Sequence, residues 1–218
     1  MGVLDLSDRY LLWKLVRLKH AFEVTRFDSA FIRRRDASLA GLWPDGVYCV
    51  LKASRGSSLP ILPDSLWNAD GQLLVSPRLQ RALARAALPD VEYWPVKVID
   101  PTVRPVGEPF FFVHLLNAPD CLDLEASGAT RSRILPEIAE KAERLAFRND
   151  PERPLCRPKT FRKITLIRWP LAEALAQEGF SGVRFMGLFD YGIKGDLPPH
   201  PGRSKVDALC ARLSAPRG

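Results

Sequence analysis

The sequence contains few of the signatures by which a protein's chemistry is recognised. The motifs GxSxG, HExxH, GxGxxG and the P-loop are all missing from its 218 residues, and each of them marks a particular catalytic or nucleotide-binding site. The four cysteines form no CxxC pair, and the three histidines lie far apart, whereas structural zinc sites usually take their ligands from close pairs. We therefore expect no catalytic residue, no metal and no cofactor.

Long apolar runs are also missing. A membrane helix needs about 20 apolar residues in succession, and Leu11, Leu12 and Trp13 near the N-terminus are interrupted at once by Lys14. The same stretch is too short for the apolar centre of a secretory signal. The expectation is a cytoplasmic protein with reduced thiols and no membrane partner.

Positive charge, by contrast, is in excess. The chain has 32 Lys and Arg against 25 Asp and Glu, a net charge of +7, and a basic protein favours acidic partners. A solvated surface is the alternative, because acidic residues are interspersed with the basic ones. Two basic stretches supply the candidate partner-binding residues: Arg33, Arg34, Arg35, Arg157, Lys159, Arg162 and Lys163.

The clearest structural pattern runs through residues 73–125. After the apolar residues 73–75, helical spacing of apolar side chains continues to Ala87. Ser76 is predicted to cap this helix and Pro77 to occupy its first position. Strands are predicted to follow at 91–98 and 110–116.

The remaining elements are predicted from shorter patterns. Alternation indicates strands at 22–27 and 47–51, whereas residues 10–18 fit either a strand or a short helix. A helical turn is predicted at 64–67 and a helix near 134–147, with Glu137–Lys141 and Glu140–Arg144 as ion pairs. Near the C-terminus we expect a strand at 163–168, a helix to Gln177 and a strand at 181–186. Residues 205–213 form either a short helix or part of a loose tail.

The two strand–helix–strand segments resemble each other. Leu79, Ala82, Leu83, Ala84, Val91 and Tyr93 match residues 92 positions later, and five of the six pairs are identical. Shared helix composition is the alternative explanation. We expect an α+β protein: a single domain with a mostly antiparallel or mixed sheet, helices packed on it and a possible strand–helix–strand pseudo-repeat. Residues 1–60 would add strands and loops, 61–190 the core and 191–218 a loosely ordered tail.

His114 and the carboxylates that follow it are the nearest approach to a catalytic group. His114 lies within an apolar strand, where a core histidine is the simpler interpretation. Asp120 and Asp123 follow the turn signal Asn117-Ala118-Pro119, and aspartates in such positions commonly bond to nearby backbone amides. We therefore expect Asp120 and Asp123 to be turn or cap residues.

Several short segments carry a resemblance to a known family. They are LVSPRL (74–79), VEYWPV (91–96), FVHLLN (112–117), DCLDLEAS (120–127) and GVRF (182–185). Across about residues 60–190 the chain resembles the bacterial polymorphic-toxin immunity proteins of immunity family eleven, first named from Myxococcus and formerly a domain of unknown function. The resemblance implies an α+β protein that binds and neutralises a cognate toxin encoded beside it, without catalysis. It implies no particular contact residues.

The charge departs from one common pattern among immunity proteins. Many that act on nucleases are acidic because they mimic nucleic acid, whereas this chain is basic, so we expect a toxin with an acidic face. Two other functions stay open. One is a basic nucleic-acid-binding module, against which the interspersed acids and the missing reading motif count. The other is an unrecognised hydrolase or transferase using His114 with Asp120 or Asp123.

Overall fold

The computed structural model describes residues 3–27, 38–53, 60–193 and 200–214. The chain forms two compact units. Unit 1 comprises Met1–Lys14, Ala118–Gly179 and Arg184–Gly218, and unit 2 comprises Leu15–Asn117 and Phe180–Val183. Neither unit is one continuous segment, because the chain leaves and re-enters each of them.

The described residues form eleven strands, three α-helices and one 3-10 helix (Leu188–Asp190), which confirms the predicted α+β class. The strands are β1 (Tyr10–Leu15), β2 (Phe22–Phe27), β3 (Tyr48–Ala53), β4 (Leu74–Val75), β5 (Val91–Ile99), β6 (Phe110–Leu115), β7 (Thr130–Arg131), β8 (Ala139–Lys141), β9 (Leu155–Cys156), β10 (Thr165–Arg168) and β11 (Val183–Gly187). The helices are α1 (Pro77–Arg85), α2 (Trp169–Glu178) and α3 (Arg203–Ser214). Within this described part of the chain, no helix is long and apolar enough to cross a membrane.

Unit 2 is built on a five-stranded sheet in the order β2-β3-β5-β6-β4. Its pairs are antiparallel except β3 with β5, which are parallel. Val96 and Val98 of β5 are buried while Lys97 between them is exposed, as the period of a strand requires. Their apolar face joins Leu51 and Phe112 in the core of this unit.

The Asp64 carboxylate accepts five hydrogen bonds within unit 2. It accepts from Arg78 at 2.6 and 3.0 Å, from the Ser76 hydroxyl at 2.9 Å, and from the amide and hydroxyl of Ser181 at 2.9 and 3.0 Å. Burial by itself raises the pKa of Asp64, but the bonds from Arg78, Ser181 and Ser76 outweigh it and hold that pKa below its ordinary value. The carboxylate therefore ties the start of α1 to residues 180–183.

Gly182 allows this attachment because the backbones approach closely. Its φ is +78°, and a Cβ at this position would lie 2.1 Å from the Ser65 carbonyl oxygen. The Ser65 amide donates to the Ser181 carbonyl at 3.0 Å across the same contact. A side chain at 182 would be excluded both by its backbone conformation and by the space available.

Unit 1 contains a four-stranded sheet in the order β11-β1-β10-β9 and a two-stranded ribbon of β7 and β8. Its core is apolar and includes Leu12, Phe147, Phe161 and Leu166. Helix α3 buries Val206, Leu209 and Leu213, with α2 packed beside it.

In unit 1, Asp150 joins separate segments through several hydrogen bonds and ion pairs, as Asp64 does in unit 2. It accepts from the Tyr10 hydroxyl at 3.0 Å and from the Glu152 amide at 2.8 Å, and it forms ion pairs with Arg9 and with Arg168. Burial raises its pKa, but these donors outweigh burial and lower the pKa of Asp150 overall. The network joins β1, the end of β10 and the segment before β9.

The predicted echo between the two strand–helix–strand segments is visible in the fold. Helices α1 and α2 begin at residues 77 and 169, and strands β5 and β11 begin at 91 and 183, so both offsets equal the sequence offset. In each case the strands flanking the helix share a middle strand: β6 lies between β4 and β5, and β1 lies between β10 and β11. Two split strand–helix–strand motifs therefore occur, one in each sheet.

The helix predicted near 134–147 is wrong, and so are the helical ion pairs assigned to it. Residues 130–141 form the β7–β8 ribbon instead. The reason is long-range bonding: the Ala139 amide donates to the Thr160 carbonyl at 2.7 Å and the Glu143 amide to the Ser127 carbonyl at 3.0 Å. Tertiary partners thus override a helical spacing of apolar residues.

Smaller predictions also change. The helical turn expected at 64–67 is absent from the described structure, because Ser65 bridges Val75 as a strand does. Residues 10–15 take the strand form, and the predicted strands at 22–27, 47–51, 91–98 and 110–116 are confirmed within a few residues. Near the C-terminus, helix α3 shows that residues 205–213 adopt the helical alternative. The three predicted domain ranges stay predictions.

We predict that Asp64→Asn lowers the free energy of unfolding by about 2 kcal/mol, because an amide cannot accept every bond from Arg78, Ser76 and Ser181. Urea denaturation at pH 7 measures the change. Asp70→Asn is the matched control: Asp70 is exposed, and its replacement should cost less than about 0.5 kcal/mol. Equal effects of the two substitutions would contradict the role given to Asp64.

Acid should remove the contribution of Asp64 and Asp150. Both pKa values lie below their ordinary value of 3.8, so each carboxylate stabilises the fold above that pH and stops doing so as the pH falls through its lowered pKa. The stability difference between the wild type and Asp64→Asn should be constant from about pH 5 to 7 and shrink below about pH 4. Urea denaturation across that range tests this, and a difference independent of pH would refute it.

Candidate functional site

The predicted basic residues fall in different parts of the chain. Arg33, Arg34 and Arg35 lie outside the described residues. Arg157, Lys159, Arg162 and Lys163 lie in the connection between β9 and β10 in unit 1. We call residues 157–163 the basic segment: it has four basic residues and no acidic one.

The basic segment is fixed to unit 1 by a buried side chain and by backbone hydrogen bonds. Phe161 is 1% exposed and packs in the core of unit 1, and the Lys159 amide donates to the Pro119 carbonyl at 2.9 Å. The Arg162 Nε donates to the Lys159 carbonyl at 3.3 Å. The segment is therefore an ordered loop rather than a loose connection.

The four cations differ in what they present to solvent. Lys159 and Lys163 are exposed, whereas Arg157 and Arg162 are half-buried. The Arg157 Nε donates to the Thr165 hydroxyl of β10 at 3.2 Å. The two lysines are thus the groups best placed for an outside partner, and the arginines also serve the local fold.

The β7–β8 ribbon borders the basic segment, because the Ala139 amide bonds to Thr160 within that segment. Ala139 is itself buried, at 1% exposure, and anchors the ribbon on the core. Such a two-stranded ribbon is at best marginally stable alone. The attachment of the ribbon to the basic segment therefore fixes the position of the turn that joins β7 to β8.

The ribbon ends in a tip of apolar side chains. Ile134 is 87% exposed and Leu135 is 48% exposed. The Ser132 hydroxyl accepts from the amides of Ile134 and Leu135 at 3.3 and 3.4 Å, and the Arg131 guanidinium donates to the Pro136 carbonyl at 3.1 Å. We call residues 131–136 the ribbon tip.

The sequence analysis missed the ribbon tip because it assigned Ile134 and Leu135 to the edge of a helix. A signal for a turn was present: a serine at 132 followed by a proline at 136, since serine hydroxyls bond to nearby amides and proline favours turns. Nothing local, however, shows the bond from Ala139 to Thr160.

The predicted turn residues have identifiable contacts. Ser76 is the N-cap of α1, and its hydroxyl accepts from the Leu79 amide at 3.2 Å. Asp123 accepts from the Ala126 amide at 3.0 Å. Asp120 forms an ion pair with Arg148. Each of these three side chains therefore has a structural role.

His114 is embedded in the sheet of unit 2, at 4% exposure. It lies opposite Glu92 on the neighbouring strand. Burial raises the pKa of Glu92, but bonds from Ser38, the Leu39 amide and Trp94, together with the nearby His114, lower it overall. Glu92 thereby attaches residues 38–39 to strand β5, and this is a structural role.

The thiols of the buried cysteines are poor nucleophiles. Burial raises the pKa of Cys49 and of Cys121 to about 12 and also raises the pKa of Cys156, so little thiolate is present near neutral pH. All four cysteines are free thiols. Over the described ranges, no three His, Cys, Asp or Glu side chains cluster as metal ligands would.

A second basic surface lies in unit 2. A cleft of about 840 Å³ is lined by Arg17, Lys19, His20, Glu23 and Lys52, among others. Arg17 is engaged by Glu23 at 2.6 Å, whereas Lys19 and Lys52 are exposed. This cleft is more mixed in charge than the basic segment, and it serves below as a comparison surface.

Comparison with known proteins identifies a family. The model of the immunity protein family Imm11 matches residues 17–187 of this 218-residue chain. The matched range includes the ribbon tip, the basic segment and the Asp64 contacts. No curated protein matches the chain. The family match extends over most of the sequence, and the chain therefore belongs to the Imm11 immunity protein family.

Proposed function

We propose that the chain binds a cognate bacterial toxin encoded beside it, in the cytoplasm, and neutralises it by covering its active site. The observation that carries the proposal is the family match over residues 17–187. The protein would act by binding rather than by catalysis, as part of a toxin system used in competition between bacteria. Burial of His114 and the raised pKa of Cys49 and Cys121 make these side chains poor candidates for catalysis.

The basic segment is the proposed electrostatic contact. Lys159 and Lys163 extend from a loop that Phe161 fixes to the core, so binding requires little ordering of the backbone. Like signs repel across an interface and opposite signs steer the encounter. We therefore propose that the toxin presents an acidic face to these lysines.

The size required is modest. A stable complex buries about 800 Å² on each partner. The basic segment and the neighbouring β7–β8 ribbon form one continuous part of unit 1 through the bond from Ala139 to Thr160. Arg131, Arg133 and Lys141 add further basic groups along the ribbon, although Glu137 and Glu140 lie there too.

Two double charge reversals test the proposal against a matched control. Lys159→Glu/Lys163→Glu should weaken binding to the toxin domain of the adjacent gene at least about ten-fold and abolish protection of cells that co-express it. Lys19→Glu/Lys52→Glu alters the net charge equally but should change affinity less than about three-fold. Because long-range steering depends on total charge, the difference between the two variants reports local contact.

Affinity is measured by titration calorimetry at two salt concentrations, and protection by colony counts. The wild type should bind and protect, with affinity that decreases as salt increases. If the wild type neither associates with that toxin domain nor protects cells, the proposed function is refuted. If only the Lys19/Lys52 variant loses binding, the contact belongs to the cleft of unit 2 instead.

A further inference from the structure

The ribbon tip presents large apolar side chains that its own geometry keeps in solvent. Ile134 is the most exposed of the large apolar side chains described, at 87%, and Leu135 beside it is 48% exposed. Single exposed apolar residues are ordinary on protein surfaces. Two adjacent exposed apolar side chains at the end of an ordered ribbon are less common, because the fold does not require apolar side chains there.

Internal bonds hold the tip in this conformation. The hydroxyl of Ser132 accepts from two successive amides, the Arg131 guanidinium bonds to the Pro136 carbonyl, and the Ser132 amide donates to the Ile138 carbonyl at 2.8 Å. At its base the ribbon is anchored by the buried Ala139 and its bond to Thr160. A preformed loop loses little conformational entropy when a partner covers it.

Resting on the proposed function, we propose that Ile134 and Leu135 form the apolar anchor of the toxin interface and insert into an apolar socket on the toxin. Arg131 and Arg133 precede the anchor and Glu137 follows it, and all three are exposed. The rim of the socket would therefore be acidic where it meets the two arginines, in agreement with the acidic face proposed for Lys159 and Lys163. The centre of the interface is apolar and its edge is charged, as in stable complexes.

A second copy of the chain is a less suitable partner for the ribbon tip. A twofold contact would bring each tip against the same tip of the other copy. The exposed Arg131, Arg133 and Lys141 outnumber Glu137 and Glu140 along the ribbon. The contact would therefore bring together two ribbons of net positive charge, on chains that each carry a net charge of +7. Charge complementarity thus favours an acidic toxin over self-association.

Ile134→Asp tests the anchor, with Val103→Asp as the matched control. Val103 is also an exposed apolar residue, at 73% exposure, and follows strand β5 in unit 2. Ile134→Asp should weaken toxin binding at least about thirty-fold, mainly through faster dissociation. Val103→Asp should change affinity less than about three-fold. Ile134→Asp should unfold at the same urea concentration as the wild type, because that side chain is mostly exposed. Val103→Asp should unfold at the same or a higher concentration, because Val103 has a φ of +66°, where aspartate is less strained than a β-branched residue.

Salt separates the anchor from the basic segment. The loss caused by Ile134→Asp should persist in 0.5 M sodium chloride, whereas the loss caused by Lys159→Glu/Lys163→Glu should shrink there, since salt screens exposed charges. A conservative variant, Ile134→Leu, should retain binding within about three-fold. The readout is surface plasmon resonance with the toxin domain of the adjacent gene.

The outcomes distinguish this inference from the proposed function. If the wild type binds and Ile134→Asp binds as tightly, the anchor is overturned while the immunity function stands. If the wild type does not bind, both are overturned. Light scattering supplies the remaining outcome: a dimer that Ile134→Asp converts to a monomer would show that the tip contacts a second copy, which also overturns the inference.

Discussion

A carboxylate that is partly removed from water must be matched by donors, and each unit of this protein contains one such group that joins distant segments. In unit 2, Asp64 receives bonds from Arg78, Ser76 and Ser181. In unit 1, Asp150 receives them from Tyr10 and the Glu152 amide and pairs with arginines. Breaking a buried charge network leaves groups without partners, and that cost exceeds the net benefit of the bonds themselves. The carboxylates therefore constrain which segments lie together.

This constraint also explains how the candidate site is displayed. Asp150 joins β1 to the end of β10, the strand that follows the basic segment. With Phe161 in the core and Ala139 bonded to Thr160, the lysines and the ribbon tip extend from a fixed base.

Local rules predicted a large part of the fold. Helix α1 was recoverable because its cap and its apolar spacing lie within a dozen residues. Helix α2 shares the proline in its first turn and the buried apolar face, but its N-cap Arg168 makes no side-chain cap bond. The attachment of Asp64 to Ser181 was not recoverable, because those residues are 117 positions apart. The ribbon was mistaken for a helix for the same reason, since its decisive bond reaches Thr160. Of the proposed contact surface, the sequence pointed only to the charged part, which stays a prediction, because composition reveals basic residues but not an exposed tip.

Hydrogen exchange of the chain with and without the toxin domain of the adjacent gene would map the contact without mutation. Amides within residues 131–138 and 159–163 should exchange more slowly in the bound chain. Exchange should not change around residues 17–24 and 50–53, which border the cleft of unit 2. Slower exchange confined to that cleft, with the ribbon tip and basic segment unchanged, would contradict the proposed contact.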